Sequence, residues 1–167
     1  GNLREPLKNL KRADVIVKTK SNFESNDQAY FDSVIKNAQV ENFSCEFETS
    51  ISNRFTKPQF LKTDLTKKRS LIVTAIGDPL SFKKSVSFIK CEIIKQLNFK
   101  DHSNYSQRKW EKIEALCLKL NVEFILTTEK DWIKIENLKT KIPIIVFGLK
   151  IYFNKSEAFY NILENVN

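Results

Sequence analysis

The sequence predicts an α/β layer sandwich, a largely parallel sheet flanked by helices. Two observations carry this expectation. Strand-type and helix-type patterns alternate three or four times after Ser70. The strand-type segments are short apolar runs that read as buried strands, and helix-cap signals follow two of them.

In chain order, residues 4–13 read as helical, with Leu7 and Leu10 on one face, and 14–18 (D-V-I-V-K) as a short strand. The polar stretch 21–27 is loop-like. Tyr30, Phe31, Val34 and Ile35 then recur at helical spacing through Ala38. Phe43, Cys45 and Phe47 alternate with polar residues, the mark of a half-exposed strand. Residues 54–69 hold six basic side chains (Arg54, Lys57, Lys62, Lys67, Lys68, Arg69) against one acid, Asp64, and read as a linker. Residues 71–76 form a strand, and Gly77-Asp78-Pro79 turns into a helix with Asp78 at the N-cap and Pro79 at its first position. Phe82, Val86, Ile89 and Ile93 are its expected core face. A strand is expected over 94–99. Ser106 opens a helix whose inner face is Trp110, Ile113, Leu116, Cys117 and Leu120. Residues 122–127 form a strand, and Thr128-Glu129-Lys130-Asp131 reads as a capping box. Residues 142–147 form a β-branched strand. Asn154 or Ser156 caps a last helix, with Ala158, Phe159, Ile162, Leu163 and Val166 inside.

Composition narrows the chemistry. In 167 residues, Lys plus Arg number 28 and Asp plus Glu 20, a net charge of +8 that suits an anionic partner without choosing one. The glycines are Gly1, Gly77 and Gly148, whose spacing fits neither a phosphate-cradling G-x-x-x-x-G-K-[ST] loop nor G-x-G-x-x-G. One histidine and three scattered cysteines (Cys45, Cys91, Cys117) do not make a Cys/His zinc site at recognised spacing. They suit a reducing compartment, with each thiol a small core residue. The longest uncharged apolar run, 142–149, contains Pro143 and falls far short of the ~20 residues that span a bilayer. The expectation is a soluble chain. Its lack of Met suggests a fragment or a processed product.

In parallel sheets ligands gather beyond the carboxyl ends of the strands. Three segments fall there: 77–79, Asp101-His102 and 127–131. His102, the single histidine, has the ordinary pKa of a general base near neutral pH. It is either such a base, with Asp101 to orient it, or a surface loop residue. Thr127 to Asp131 either caps a helix, or offers its amides and Lys130 to a phosphate.

Four segments in order resemble one family. They are L-R-E-P-L at 3–7 followed by L-K-R-A-D at 10–14, T-A-I-G-D-P-L-S-F at 74–82, F-K-D-H-S-N-Y-S at 99–106, and L-T-T-E-K-D-W-I-K-I at 126–135. Together they resemble the tetraacyldisaccharide 4′-kinases, the lipid A 4′-kinases. The resemblance implies transfer of the ATP γ-phosphoryl group, with Mg²⁺, to the 4′-hydroxyl of a lipid A disaccharide 1-phosphate precursor. That chemistry belongs to the bacterial cytoplasm, at the cytosolic face of the inner membrane, with the full-length protein meeting the membrane surface. His102 would deprotonate the 4′-hydroxyl, and Asp101 shares its motif. Arg4 and Glu5 would lie at the nucleotide, Glu5 also helping to hold the metal. Thr128, Glu129, Lys130 and Asp131 would contact substrate.

The resemblance also implies a domain plan. Residues 1–20 are the tail of an N-terminal P-loop kinase domain, 21–69 a helix, strand linker and basic connection, and 70–167 a Rossmann-like C-terminal α/β domain. ATP and Mg²⁺ would be bound mainly by an N-terminal half that carries the P-loop, so a polypeptide of these residues alone is expected to be inactive. A competing class, a non-enzymatic basic α/β module for nucleic acid, accounts for the charge and the 54–69 stretch. It does not account for D-H-x-x-Y or T-T-E-K-D, so no nucleic acid is expected as partner.

Overall fold

The computed structural model describes residues 5–22, 27–61, 64–101 and 103–165. The chain divides into two compact units, one of residues 1–48 and 150–167, the other of residues 49–149. The fold is α/β and mostly parallel, as the alternation of patterns predicts.

The first unit opens with a 3-10 turn, Leu7–Arg12, and strand β1, Val15–Lys18. Helix α1, Gln28–Ala38, then crosses over to strand β2, Glu41–Ile51, which pairs parallel with β1 from Val15↔Glu41 to Lys18↔Ser44. The helix stops at Gln39, whose φ of 56° lies in the left-handed region that ends helices. The alternation of Phe43, Cys45 and Phe47 has its physical cause in β2: Phe43 and Cys45 are buried while Glu46 and Glu48 face out. Helix α6, Ser156–Asn165, sets Phe159 edge-on to Phe43 at 5.3 Å and stacked on Phe153 at 4.4 Å. Its predicted inner face is only partly covered. Phe159 and Ile162 are half-buried, Ala158 and Leu163 are exposed, and Val166 lies outside the described residues. On α1 likewise Val34 and Ile35 turn inward while Tyr30 and Phe31 stay exposed.

In the second unit the parallel strands are β3, Arg69–Thr74; β4, Glu92–Asn98; β5, Phe124–Thr128; and the first residues of β6, Ile144–Phe153. Their order is β6-β5-β3-β4. Leu71, Ile72 and Val73 are fully buried, because helices cover both faces of the sheet. On one face Leu71, Val73 and Ile125 pack under helix α4, Gln107–Lys119, through Trp110, Ile113 and Cys117. On the other, Ile72, Leu126 and Ile145 pack with Phe82 and Val86 of helix α3, Pro79–Ser85, and its cap. Each such large aliphatic side chain, fully buried, contributes ~1.5–3 kcal/mol.

Two expectations need correction. The 54–69 stretch is not a bare connection. It forms helix α2, Pro58–Leu61, sets Phe60 edge-on to Phe124 at 5.9 Å and buries Leu65. Among its described residues Arg54, Lys57, Asp64 and Lys67 are exposed, on the outside of a packed segment. The helix after Pro79 does not run to Ile93. It ends at Ser85, whose hydroxyl turns back to the Phe82 carbonyl at 2.8 Å, a serine–backbone bond that competes with helix continuation. A 3-10 turn follows, and Lys90 (φ 52°) redirects the chain so that Ile93 falls on β4.

Candidate active site

The strand order puts a switch point at the second unit's centre. From β3 the chain moves outward to β4, then returns to β5 on the other side of β3 and continues to β6. The carboxyl ends of β3 and β5 therefore lie at the position where α/β sheets commonly hold ligands. Phe99 N–H donates to the Thr74 carbonyl at 2.8 Å, extending the β3–β4 pairing to the residue before Lys100-Asp101. Asp78 caps α3 by accepting from Ser81 N–H at 3.0 Å, so its role is structural.

Beyond β5, helix α5, Glu129–Trp132, is one turn long. Thr128 is its N-cap, its hydroxyl accepting from Asp131 N–H at 3.2 Å. The same hydroxyl donates to Asp131 Oδ2 at 2.9 Å. Asp131 is fully buried. Its Oδ2 also accepts from Ala75 N–H at 3.1 Å, and its Oδ1 from the Tyr105 hydroxyl at 3.4 Å. Burial first, and then the Asp131 charge, push the Tyr105 phenol well above its ordinary pKa. Asp131 thus spends its acceptors inside the fold.

The neighbouring side chains turn outward. Lys130 Nζ lies 3.0 Å from Asp101 Oδ1, both side chains being nearly half exposed. A pair so exposed adds at most ~1 kcal/mol to stability. Glu129 is half-buried and accepts from the Ser52 hydroxyl at 2.6 Å. Lys134 Nζ donates to the Ser103 carbonyl at 3.1 Å.

Of the residues singled out in the sequence, the fold brings Asp101, Thr128, Glu129, Lys130 and Asp131 to this one end of the sheet. Glu5 is in the other unit, exposed, its carboxylate accepting from Asn9 Nδ2 at 3.1 Å. Arg4 and His102 lie outside the described residues. Among the described residues no group of three or more His, Cys, Asp or Glu side chains could hold a metal ion. No helix among them is long and apolar enough to cross a membrane. Ser52, Tyr105, Lys134 and Gly148 join the site without having been singled out as functional residues. Tyr105 and Lys134 sit inside the two motifs. The signal for Gly148 is a glycine in a strand, which often marks close approach of another group.

The family model for tetraacyldisaccharide-1-P 4′-kinase matches residues 1–167. The chain belongs to this family. Among tetraacyldisaccharide 4′-kinases it is 29% identical to that of Halothermothrix orenii over 90% of the chain, and 29% identical to that of Bdellovibrio bacteriovorus over 83%. It is 27% identical to that of Francisella tularensis subsp. tularensis over 82%. The chain covers 44%, 41% and 39% of those relatives. The fold matches a crystal structure of the 4′-kinase LpxK from Aquifex aeolicus, in complex with ATP, with a TM-score of 0.58 and 23% identity over 99% of the chain and 46% of that structure.

Proposed function

We propose that these residues serve the lipid A 4′-kinase reaction, handling the acceptor. The γ-phosphoryl group of ATP passes to the 4′-hydroxyl of a tetraacyldisaccharide 1-phosphate, at the cytosolic face of the bacterial inner membrane. The observation that carries the reading is the family match along the whole chain, with Asp101, the residue before His102 in sequence, following β4 and paired with Lys130.

In this reading a ring nitrogen of His102 accepts the proton of the 4′-hydroxyl as the oxygen attacks the γ-phosphorus, whose bond to the β–γ bridging oxygen breaks to release ADP. Asp101, paired with Lys130, orients the segment. Glu129, held by Ser52, accepts hydrogen bonds from acceptor hydroxyls. Arg4 would help to neutralise the nucleotide phosphates and Glu5 would help to hold the metal. Among the described residues no group of three or more His, Cys, Asp or Glu side chains could enclose a metal ion, so Mg²⁺ would be carried mainly by the nucleotide phosphates, with at most one or two carboxylates from the protein. ATP and Mg²⁺ are held mainly by a P-loop beyond these residues.

The test is His102→Ala in the full-length chain, followed by single-turnover transfer from labelled ATP to the tetraacyldisaccharide 1-phosphate. Loss of a general base lowers the rate by ~10²–10⁴-fold and leaves ATP affinity nearly intact. A wild-type single-turnover rate in the mutant removes His102 from the chemistry. Absence of transfer by the unmutated full-length chain removes the function.

A further inference from the structure

We propose that the K-D-x-x-K segment, Lys130, Asp131 and Lys134, is a three-point clamp on the loop that carries His102, and that these three are positioning residues. The proposal rests on the reading of His102 as the base.

The contacts fall on both sides of position 102. Lys130 Nζ meets the Asp101 carboxylate at 3.0 Å, Lys134 Nζ meets the Ser103 carbonyl at 3.1 Å, and Asp131 Oδ1 accepts from the Tyr105 hydroxyl at 3.4 Å. One helical turn and the second residue beyond its end thus contact Asp101, Ser103 and Tyr105. The spacing explains how. Positions four apart on a helical path stack on one face, so Lys130 and Lys134 reach the loop side by side. Position 131 is turned about 100° from 130 and faces the core.

Asp131 extends the grip to the sheet. Its Oδ2 takes the Ala75 N–H at the end of β3 and the Thr128 hydroxyl at the end of β5, while Oδ1 takes Tyr105. The buried carboxylate thereby ties the loop to the ends of β3 and β5, and Lys134 Nζ stands 3.9 Å from the same Oδ1. Tyr105 is in turn wedged edge-on between Phe99 and Trp110 at 5.6 and 6.1 Å. Polar loops are ordinarily among the more mobile parts of a protein. A base must sit within hydrogen-bond reach of the proton that it takes, so fixing the residues beside His102 is a requirement of the chemistry.

The test uses the full-length chain carrying Lys130→Ala, Lys134→Ala and both together; Asp131 is left intact because its loss threatens folding. Two measurements are made. Hydrogen–deuterium exchange read by mass spectrometry should rise in the peptide over residues 99–106 and remain unchanged in the β3 and β5 strands. Single-turnover phosphoryl transfer should fall by roughly 10- to 100-fold in the double mutant, the scale of a misplaced catalytic group. The KM for ATP should stay put, and Lys130→Arg with Lys134→Arg should recover most of the rate. In a His102→Ala background the double mutation should cost no further rate. Unchanged exchange over 99–106 overturns the clamp. A full additional loss in the His102→Ala background, or a rise in KM for the disaccharide with an unaltered rate, also overturns it, by making the lysines direct substrate contacts. Should the unmutated chain transfer no phosphoryl group, the functional reading fails, and the exchange measurement alone decides the clamp.

Discussion

Glu129 lies directly against Gly148: a β-carbon at residue 148 would stand 2.8 Å from Glu129 Oε1, closer than such contacts occur. The same oxygen receives the Ser52 hydroxyl at 2.6 Å. A carboxylate is therefore seated over a strand backbone that offers it space only because the strand residue has no side chain. Gly148→Ala should push the flexible end of Glu129 aside and break its bond to Ser52. The expected cost is about 1 kcal/mol, the net worth of one hydrogen bond, read as a shift in the denaturant midpoint. On the reading that Glu129 meets acceptor hydroxyls, the KM for the disaccharide should rise while that for ATP holds. Ser52→Ala should give a smaller version of both effects; an alanine at 148 that leaves stability and KM untouched would show that the seat is not used.

The buried Asp131 carries a larger penalty. Asp131→Ala leaves the Ala75 N–H and the Tyr105 hydroxyl without their acceptor in the core, and each stranded group costs about 1–3 kcal/mol. Stability should fall by several kcal/mol in urea unfolding, far more than for Lys130→Ala at the adjacent exposed position. Equal losses at the two positions would refute the difference in burial.

The fold was legible in the sequence where local pattern and tertiary burial agree. The runs 71–76 and 122–127 are apolar because helices cover both sheet faces, and Asp78, Ser106 and Thr128 sit at helix starts as caps. It was not legible where a side chain's partner is distant in the chain. Ser52 and Glu129 are 77 positions apart, Thr56 Oγ1 and the Val146 carbonyl 90, and no local period announces either pair. Periodicity misled at Ile93, which keeps helical register with Val86 although the helix ends at Ser85 and the left-handed Lys90 turns the chain after it. At the candidate site the motif residues were legible, but not their directions. Asp131 and Lys130 are neighbours in sequence, yet one is wholly buried and the other exposed.

Tyr105 should give the fold a basic limb. Its folded pKa is raised above the ordinary 10.0, chiefly by burial and then by the Asp131 charge. The neutral phenol is the form that the fold accepts, so its stabilising contribution is complete below pH 10. Above that pH the unfolded chain ionises while the folded one resists, and stability falls as pH rises. Tyr105→Phe should remove this limb from the stability profile above pH 10, leaving the slopes of the other ionisable groups. A mutant that keeps the full slope would assign the limb elsewhere.

The thiols should differ in reactivity. Cys45 and Cys117 are buried, and Cys117 is pushed up to about 11 by burial and then by the Glu114 charge, so little thiolate forms at neutral pH. Cys91 is only partly covered, although burial raises its pKa as well. Alkylation at pH 8 should label Cys91 first and slowly, and reach Cys45 and Cys117 only on denaturation. Rapid labelling of Cys117 in the native protein would contradict its placement under α4.

A polypeptide of these 167 residues by itself should show no saturable ATP binding. High-affinity binding of a triphosphate requires a row of backbone N–H groups brought close to the phosphates, usually over glycines, with a lysine and a metal to neutralise charge. The sequence has Gly1, Gly77 and Gly148, none spaced to build such a loop. The turn at Gly77 leads into Asp78, whose carboxylate already occupies the amide of Ser81, and into Pro79, which has no N–H. At β5 the helix start is flanked by Glu129 and Asp131, which repel an anion, and Lys130 is engaged with Asp101. Net charge alone gives weak attraction that salt screens. Calorimetry with Mg²⁺ and ATP should therefore give at most a weak, salt-sensitive signal. Micromolar binding that persists at high ionic strength would mean that this part of the chain holds the nucleotide itself, and the assignment of the phosphates to a P-loop beyond it would fall.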